Sequence, residues 1–166
     1  LLGYAGTAHT IVPLCRDYSI VNTHMASLKT WVMPYAGTNL QGALDLCDST
    51  TAITNAPGTL ILFTDDISIS TFQKIRDFVN NGITSVALIP MNTRSGGKVY
   101  RPGSKKYFLK DKGGETVHSS LNEAVLNKIK SLDKVGVYPL TLDNSDMQLL
   151  AKSIKSQLEF QDKAEE

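Results

Sequence analysis

Two adjacent carboxylates, Asp65 and Asp66, directly follow a continuous apolar run over residues 60–63. An apolar run without alternation is typical of a strand buried on both faces of a parallel sheet. In open α/β sheets, ligands bind at the carboxyl ends of the strands. The position therefore allows three roles: ligands of a hard metal ion, an acid/base or phosphoryl-acceptor site, or a cap for the following helix.

The two carboxylates differ in what they would do in each role. Asp66 is placed to cap the helix that follows and to complement its dipole, a common reason for an aspartate at a strand-to-helix junction. A metal role would instead need further oxygen ligands near Asp65. Thr64 flanks it, and Thr38 lies in a separate loop that opens with Gly37 and could converge on the same edge. Spacing alone does not decide between a metal site and a helix cap.

A second candidate is a basic stretch between residues 94 and 112, interleaved with Tyr100 and Tyr107. Its cations are Arg94, Lys98, Arg101, Lys105, Lys106, Lys110 and Lys112. Basic residues beside aromatic rings can bind single-stranded nucleic acid. Asp111 and Glu115 dilute the charge, however, and a solvated loop needs no such role. We therefore expect no nucleic acid as a partner.

The sequence lacks the signatures of other common sites. Residues 95–98 read Ser-Gly-Gly-Lys but lack the frame of a phosphate-binding loop. The three histidines are widely spaced, and neither Cys15 nor Cys47 lies in a zinc-binding pattern. Cys47 falls on an apolar helical face and is expected in the core. No G-x-S-x-G motif proposes a nucleophilic serine.

The composition is that of a soluble globular protein, with 42% hydrophobic residues, 20% charged residues and a net charge of +1. The 166 residues suit one domain with a substantial core, so we predict a single domain over residues 1–166. No apolar run approaches the roughly 20 residues of a membrane span. The chain begins in strand-like sequence without Met, which we interpret as a soluble piece of a longer protein.

Hydrophobic periodicity predicts an α/β fold with a mostly parallel sheet flanked by helices. The elements in chain order begin with a hairpin over 1–15, a helix over 17–33 capped by Asp17 or Ser19, a helix over 40–47 and a polar connection over 49–58. A buried strand over 59–63, a helix over 68–81 and a buried strand over 86–89 follow. The segment 91–116 is an excursion whose strand-like pieces, 98–100 and 107–109, suggest a hairpin. The last elements are a helix over 119–132 that opens at Ser119 or Ser120, a strand over 135–140 and a helix from about 143, capped by Asp143, Ser145 or Asp146. The two buried strands around the third helix form a βαβ unit, which makes them parallel. Met25, Trp31 and Met33 are expected in the core.

The order of several short motifs resembles that of von Willebrand factor A-type (vWA) domains, and among them the bacterial Bat-type (aerotolerance-operon) proteins. The motifs are Gly3-Tyr4-Ala5-Gly6-Thr7-Ala8, Val12-Pro13-Leu14-Cys15-Arg16-Asp17, Gly37-Thr38-Asn39-Leu40, the strand over 60–65, Lys110-Asp111-Lys112-Gly113-Gly114 and Leu140-Thr141-Leu142-Asp143. They span nearly the whole chain. The resemblance implies a Rossmann-like vWA fold in which Thr38 and Asp65 are ligands of a metal-ion-dependent adhesion site.

Two departures from the vWA pattern affect that site. The first strand of the family, whose Asp-x-Ser-x-Ser motif supplies most of the metal ligands, is missing from this sequence, which we interpret as an N-terminally truncated domain. Asp66 also stands where the family usually has glycine. Without the central strand there are three possibilities: the sheet is open because the chain is a fragment, the sheet closes differently, or another chain completes it. Self-association would be one way for another chain to complete the sheet. Thr38 and Asp65 alone are expected to hold Mg²⁺ or another divalent cation weakly or not at all.

The resemblance implies a protein-interaction module rather than an enzyme. In the intact parent protein, the cation would keep an open position for an acidic side chain of a protein partner. Bat-type proteins imply a bacterial inner-membrane anchor outside this chain and a stress-linked role beside a MoxR-type AAA+ ATPase. The alternative is an α/β enzyme or phosphoryl-acceptor domain with Asp65 or Asp66 as the reactive carboxylate, although residues 89–91 offer no lysine beside it.

Overall fold

Strands and helices alternate along the chain in the computed structural model, which describes residues 1–53, 58–101, 103, 104 and 106–164. The strands are β1 (Leu2–Tyr4), β2 (Ala8–Thr10), β3 (Thr59–Thr64), β4 (Ser85–Pro90), β5 (Gly97–Lys98), β6 (His118–Ser119) and β7 (Val135–Val137). The helices are α1 (Tyr18–Ser27), a 3₁₀ helix (Thr30–Val32), α2 (Leu40–Ala52), α3 (Ile69–Asn81), α4 (Glu123–Lys130) and α5 (Ser145–Ala164). Residues 54–57 of the predicted 49–58 connection lie outside the described residues, as do Pro102, Lys105 and the last two residues.

The described chain divides into two compact units. The first comprises residues 1–60 and 73–85, and the second comprises residues 61–72 and 86–166. The boundaries between the units fall within β3, within α3 and within β4. The prediction of a single domain stays a prediction.

In the first unit, β1 and β2 form the predicted hairpin, with Leu2 opposite Thr10 and Tyr4 opposite Ala8. Both strands contact α2. This helix is capped by Asn39, whose side chain accepts a hydrogen bond from the Gly42 N–H at 3.0 Å. Its buried residues are Leu40, Ala43, Leu44 and Cys47. The core position predicted for Cys47 is thus confirmed, and burial raises the pKa of its thiol.

The helix predicted over residues 17–33 is shorter than expected. Asp17 caps α1, as predicted, through hydrogen bonds from the N–H groups of Ser19 and Ile20. The helix ends at Ser27 because the backbone of Leu28 is extended. None of its residues is buried, and Trp31 is 77% exposed, so the predicted core positions of Met25 and Trp31 are wrong.

The sheet of the second unit has the order β3-β4-β7. Strands β4 and β7 are parallel, with Val86 opposite Val135. Hydrogen bonds from the Ser85 N–H to the Gly58 carbonyl and from the Met91 N–H to the Thr64 carbonyl keep a constant offset of 27 residues, which is the register of parallel strands. The predicted parallel sheet is therefore confirmed.

Burial distinguishes the two strands that were predicted to be covered on both faces. From Val86 to Pro90 every residue of β4 is buried, as its central position requires. Strand β3 instead alternates: Leu62 is 5% exposed whereas Phe63 is 48% exposed. The prediction fails for one face of β3, on which Ile61 and Phe63 are exposed. Strand β3 is also the edge strand of the described sheet.

Helices α4 and α5 complete the second unit. Asn122 caps α4 by accepting a hydrogen bond from the Val125 N–H at 3.1 Å, so this helix starts later than the predicted Ser119 or Ser120. The side chain of Leu150 on α5 packs with Ala87 and Ile89 of β4 in a buried cluster. Within the described residues, no helix combines the length and the apolar character needed to cross a membrane.

Candidate functional site

The turn after β3 carries the predicted site. The carbonyl oxygen of Asp65 accepts a hydrogen bond from the side-chain Nδ2 of Asn92 at 3.0 Å. The Asp65 side chain itself is exposed, and no described residue makes a hydrogen bond or an ion pair with its carboxylate. The main chain of Asp65 is therefore held in place while its carboxylate stays available to a ligand.

The neighbouring carboxylate, Asp66, is committed to the protein. Its Oδ2 accepts a hydrogen bond from the Thr71 hydroxyl at 3.0 Å, and its N–H donates to the Thr64 hydroxyl at 3.2 Å. Thr71 is only 1% exposed and lies in the first turn of α3. The direct cap of α3 is Ser68, whose Oγ accepts from the Thr71 N–H at 3.2 Å. Asp66 thus supports the start of the helix through Thr71 rather than capping it.

Asn92 is a third residue of this site, and no sequence motif pointed to it. Its Nδ2 donates to the carbonyl oxygens of both Asp65 and Ser120, at 3.0 and 3.1 Å. Its Oδ1 is buried and finds no hydrogen-bond partner among the described residues. The reversed amide would place Oδ1 against two carbonyl oxygens, so the donor pair fixes the orientation. An asparagine two residues beyond a buried strand, at the carboxyl edge of the sheet, is the signal that could have found it.

Thr38 lies in the first unit, in the loop that leads into α2. The loop is tied to the hairpin by hydrogen bonds from the Asn39 N–H to the Ala5 carbonyl and from the Gly6 N–H to the Tyr35 carbonyl. Gly37 has a φ of +137°, and a side chain there would also meet the backbone of Gly6. The Thr38 side chain is exposed. Because Thr38 and Asp65 belong to different units, a cation shared between them stays a prediction.

The oxygen atoms of Asp65 and Thr38 are suitable ligands for a divalent cation, but they are too few to fill its coordination positions. Asp65 offers a carboxylate and Thr38 a hydroxyl, and hard cations such as Mg²⁺ prefer oxygen ligands. Mg²⁺ requires about six of them. In the part of the chain that the structure describes, no three Asp, Glu, His or Cys residues lie together as a metal-binding group. Water or another segment would have to supply the remaining positions.

Two of the solved structures that match this chain are of the same kind. No protein-family model and no curated protein sequence matches the chain. An aerotolerance-related membrane protein from Bacteroides fragilis, solved with multiple mutations to serine, superposes with a TM-score of 0.76 at 20% identity, over 93% of this chain and 77% of that one. The conserved hypothetical protein BatB from Bacteroides thetaiotaomicron superposes with a TM-score of 0.77 at 18% identity, over 95% and 78%.

The chain has the fold of these Bat proteins. The α/β architecture that the motifs implied is therefore confirmed, and nearly the whole of the chain takes part in the likeness. At this level of identity the comparison shows the fold alone, since one fold can carry many functions. About a quarter of each Bat structure has no counterpart in this chain.

Proposed function

We propose that this chain belongs to a membrane-associated, aerotolerance-type bacterial protein and acts as a protein-interaction module without enzymatic activity. The exposed carboxylate of Asp65, at the carboxyl edge of a parallel sheet, is the observation that carries the proposal. Ligands of open α/β sheets bind at this edge. The fold shared with Bat proteins supports the same proposal.

The proposed binding step is coordination of a divalent cation by Asp65. The hydrogen bond from Asn92 fixes the main chain of Asp65, so little backbone freedom is lost when the carboxylate binds. Thr38 supplies a second oxygen, and water fills some of the remaining positions. An acidic side chain from a partner protein takes the last position, because a cation held by few anionic ligands keeps its attraction for carboxylate.

A further strand completes this site in our proposal. The carbonyl groups of Gly58 and Thr64 accept hydrogen bonds from β4. In a parallel strand, every second residue bonds to the same neighbouring strand. The backbone groups of Ile61 and Phe63 therefore point away from β4, toward the outer edge of the sheet. No described strand pairs with that side of β3. An open edge beside exposed apolar side chains is suited to strand addition. The parent chain would supply this strand and the missing metal ligands, and a second copy of the chain is the alternative source.

The parent protein extends this function beyond the present chain. We infer an inner-membrane anchor in segments outside it, and a protein partner that belongs to a MoxR-type AAA+ ATPase system. Support for both comes from the fold shared with Bat proteins, one of which is described as an aerotolerance-related membrane protein.

A phosphoryl-acceptor site is the second candidate, because it would use the same exposed Asp65. Such a site usually needs a positively charged side chain, such as lysine, to hold the phosphoryl oxygens. The loop after β4 presents Asn92 where a lysine would serve this purpose, which favours the adhesion-type site. Incubation with beryllofluoride, followed by NMR shifts of the residues around Asp65, separates the two: shifts that occur in wild type but not in Asp65→Ala would favour phosphoryl transfer.

Thermal melting with and without Mg²⁺ tests the proposed function. The chain alone is compared with a chain extended upstream through the Asp-x-Ser-x-Ser strand. Bound cation adds RT ln(1 + [L]/Kd) to the unfolding free energy, about 2.7 kcal/mol at a hundredfold excess over Kd. We expect a response from the longer chain only. A response from neither chain would contradict the metal site, and tight Mg²⁺ binding by the chain alone would contradict its dependence on the added strand.

A further inference from the structure

We call residues 97–119 the basic arm. Apart from Pro102 and Lys105, which lie outside the described residues, the arm folds into a small antiparallel structure of its own. The Leu109 N–H donates to the Val99 carbonyl at 2.8 Å, the Val99 N–H to the Val117 carbonyl at 3.0 Å, and the Val117 N–H to the Leu109 carbonyl at 2.9 Å. These three bonds join each segment of the arm to the other two. The arm is thus an ordered antiparallel β structure, in which the strand-like pieces predicted over 98–100 and 107–109 pair as a hairpin.

The basic arm concentrates positive charge. It contains six basic and two acidic residues, a net charge of +4, in a chain whose total is +1, so the rest of the chain carries −3. Within the described residues, no ion pair joins Lys98, Arg101 or Lys106 to a carboxylate. Asp111 is occupied in its own turn, where its Oδ1 accepts from the N–H groups of Gly113 and Glu115. The charge of the arm therefore faces solvent largely uncompensated.

Aromatic side chains share this surface instead of entering a core. The rings of Tyr100 and Phe108 lie 4.9 Å apart between centroids, and the Lys98 Nζ lies 5.3 Å from the Phe108 centroid. The Lys106 Nζ lies 5.9 Å from the Tyr107 centroid, and Tyr107 is 62% exposed. Cations beside rings with polar tips are the side chains that suit a membrane–water interface, where one end stays wet and the other is apolar.

We propose that the basic arm docks on an anionic lipid surface. Its lysines and arginine meet the phosphates of the headgroups, and its exposed rings enter the interfacial region. The partner is chosen by charge complementarity, since the arm is the basic part of an otherwise acidic chain. This contact is made by the chain itself, independently of the proposed cation site and in addition to any anchor in the parent protein.

Single-stranded nucleic acid fits the same charge less well. Its bases stack on open aromatic faces. Phe108 already contacts Tyr100 and Lys98, and the ring of Tyr107 lies beside Lys106, so stacking surfaces are partly occupied. A lipid surface needs no free ring face, because the rings lie among headgroups. The lipid surface is therefore the favoured partner.

Vesicle sedimentation tests this proposal on the full chain. Vesicles of phosphatidylcholine mixed with phosphatidylglycerol are compared with phosphatidylcholine alone, at low and high salt. We expect binding to the mixed vesicles only, and weaker binding at high salt because screening reduces the attraction. Arg101→Gln with Lys106→Gln should lower the partition coefficient by roughly tenfold or more. Tyr107→Ser should lower it by a smaller factor at unchanged charge.

The matched control is Lys128→Gln with Lys130→Gln, which removes the same charge from the exposed side of α4. These variants should bind almost as wild type does, and melting curves should show all variants folded. Equal losses from the arm and the control would overturn the proposal, as would equal binding to neutral vesicles or none to anionic ones. Retention on a single-stranded oligonucleotide without vesicle binding would assign the arm to nucleic acid and overturn it too.

Discussion

The Nδ2 of Asn92 donates a hydrogen bond of 3.0 Å to the carbonyl oxygen of Asp65, 27 residues away in the sequence. A second bond of 3.1 Å joins the same amide to the Ser120 carbonyl. One side chain thus ties the end of β3 and the approach to α4 to the loop after β4. This arrangement fixes the backbone on which the available carboxylate of the proposed site is mounted.

Replacing Asn92 should loosen this connection. Asn92→Ala loses two hydrogen bonds, each contributing about 0.5–1.5 kcal/mol, but also removes the unpartnered Oδ1, so we expect a net loss of about 1 kcal/mol. Asn92→Asp should cost more, because a carboxylate cannot donate and would face two carbonyl oxygens. Urea unfolding measures both, with the exposed Asn127→Ala on α4 as control. Equal stability of Asn92→Asp and wild type would contradict the role of the donor pair.

Replacing Asp66 should lower the unfolding free energy more than replacing Asp65. Asp66→Ala leaves the buried Thr71 hydroxyl without its carboxylate acceptor, and we expect a loss of about 1–3 kcal/mol in unfolding free energy. Asp65→Ala removes an exposed side chain and should stay within about 0.5 kcal/mol of wild type. Urea unfolding of the two variants measures both changes in unfolding free energy. A larger loss for Asp65 than for Asp66 would reverse the assignment of their roles.

The start of α5 should make stability depend on pH. Burial raises the pKa of Asp146, but hydrogen bonds from the Met147 N–H and from the hydroxyl and N–H of Thr141 together bring that pKa below its usual 3.8. A carboxyl whose pKa is lowered by folding stabilises the protein above its unfolded pKa, and this contribution is lost as the pH falls through the folded pKa. Asp146→Asn should therefore lower the unfolding free energy at pH 7, with a difference from wild type that shrinks below about pH 4. A difference that stays constant with pH would contradict this role.

Truncating side chains along β3 should cost more stability at its buried positions than at its exposed ones. Leu62→Ala should cost about 2–5 kcal/mol, because it empties a buried position. Phe63→Ala should cost about 1 kcal/mol or less, because half of that side chain is already in water. Thermal or urea unfolding measures both. If a further strand covers this edge in the parent protein, the cost of Phe63→Ala should rise in the longer chain, and an unchanged cost would contradict strand addition.

Local patterns were sufficient to predict most of the fold. The apolar run of β4 predicted a strand covered on both faces, and the cap of α1 by Asp17 and the core position of Cys47 followed from residue type. The same kind of run in β3 gave the wrong burial. Both runs look alike in sequence, and only the order of strands in the sheet makes one central and the other an edge.

The site was predicted less completely, because its supporting contacts are not local. The sequence located Asp65 at the end of a strand, which needs only the apolar run before it. It left the role of Asp66 open, since the hydroxyl of Thr71 reaches it only once α3 has formed. Asn92 escaped notice because its partners, Asp65 and Ser120, are each nearly thirty residues away and are contacted through backbone atoms, which leave no mark in the sequence.

Calorimetric titration of Mg²⁺ into the chain extended through the Asp-x-Ser-x-Ser strand tests the central claim most directly. Wild type is compared with Asp65→Ala and with Asp133→Ala, which removes the same charge from an exposed position. We predict that wild type and Asp133→Ala bind alike, and that Asp65→Ala loses tenfold or more in affinity, about 1.4 kcal/mol or more. Unchanged Mg²⁺ affinity in Asp65→Ala would contradict the assignment of this carboxylate as a metal ligand.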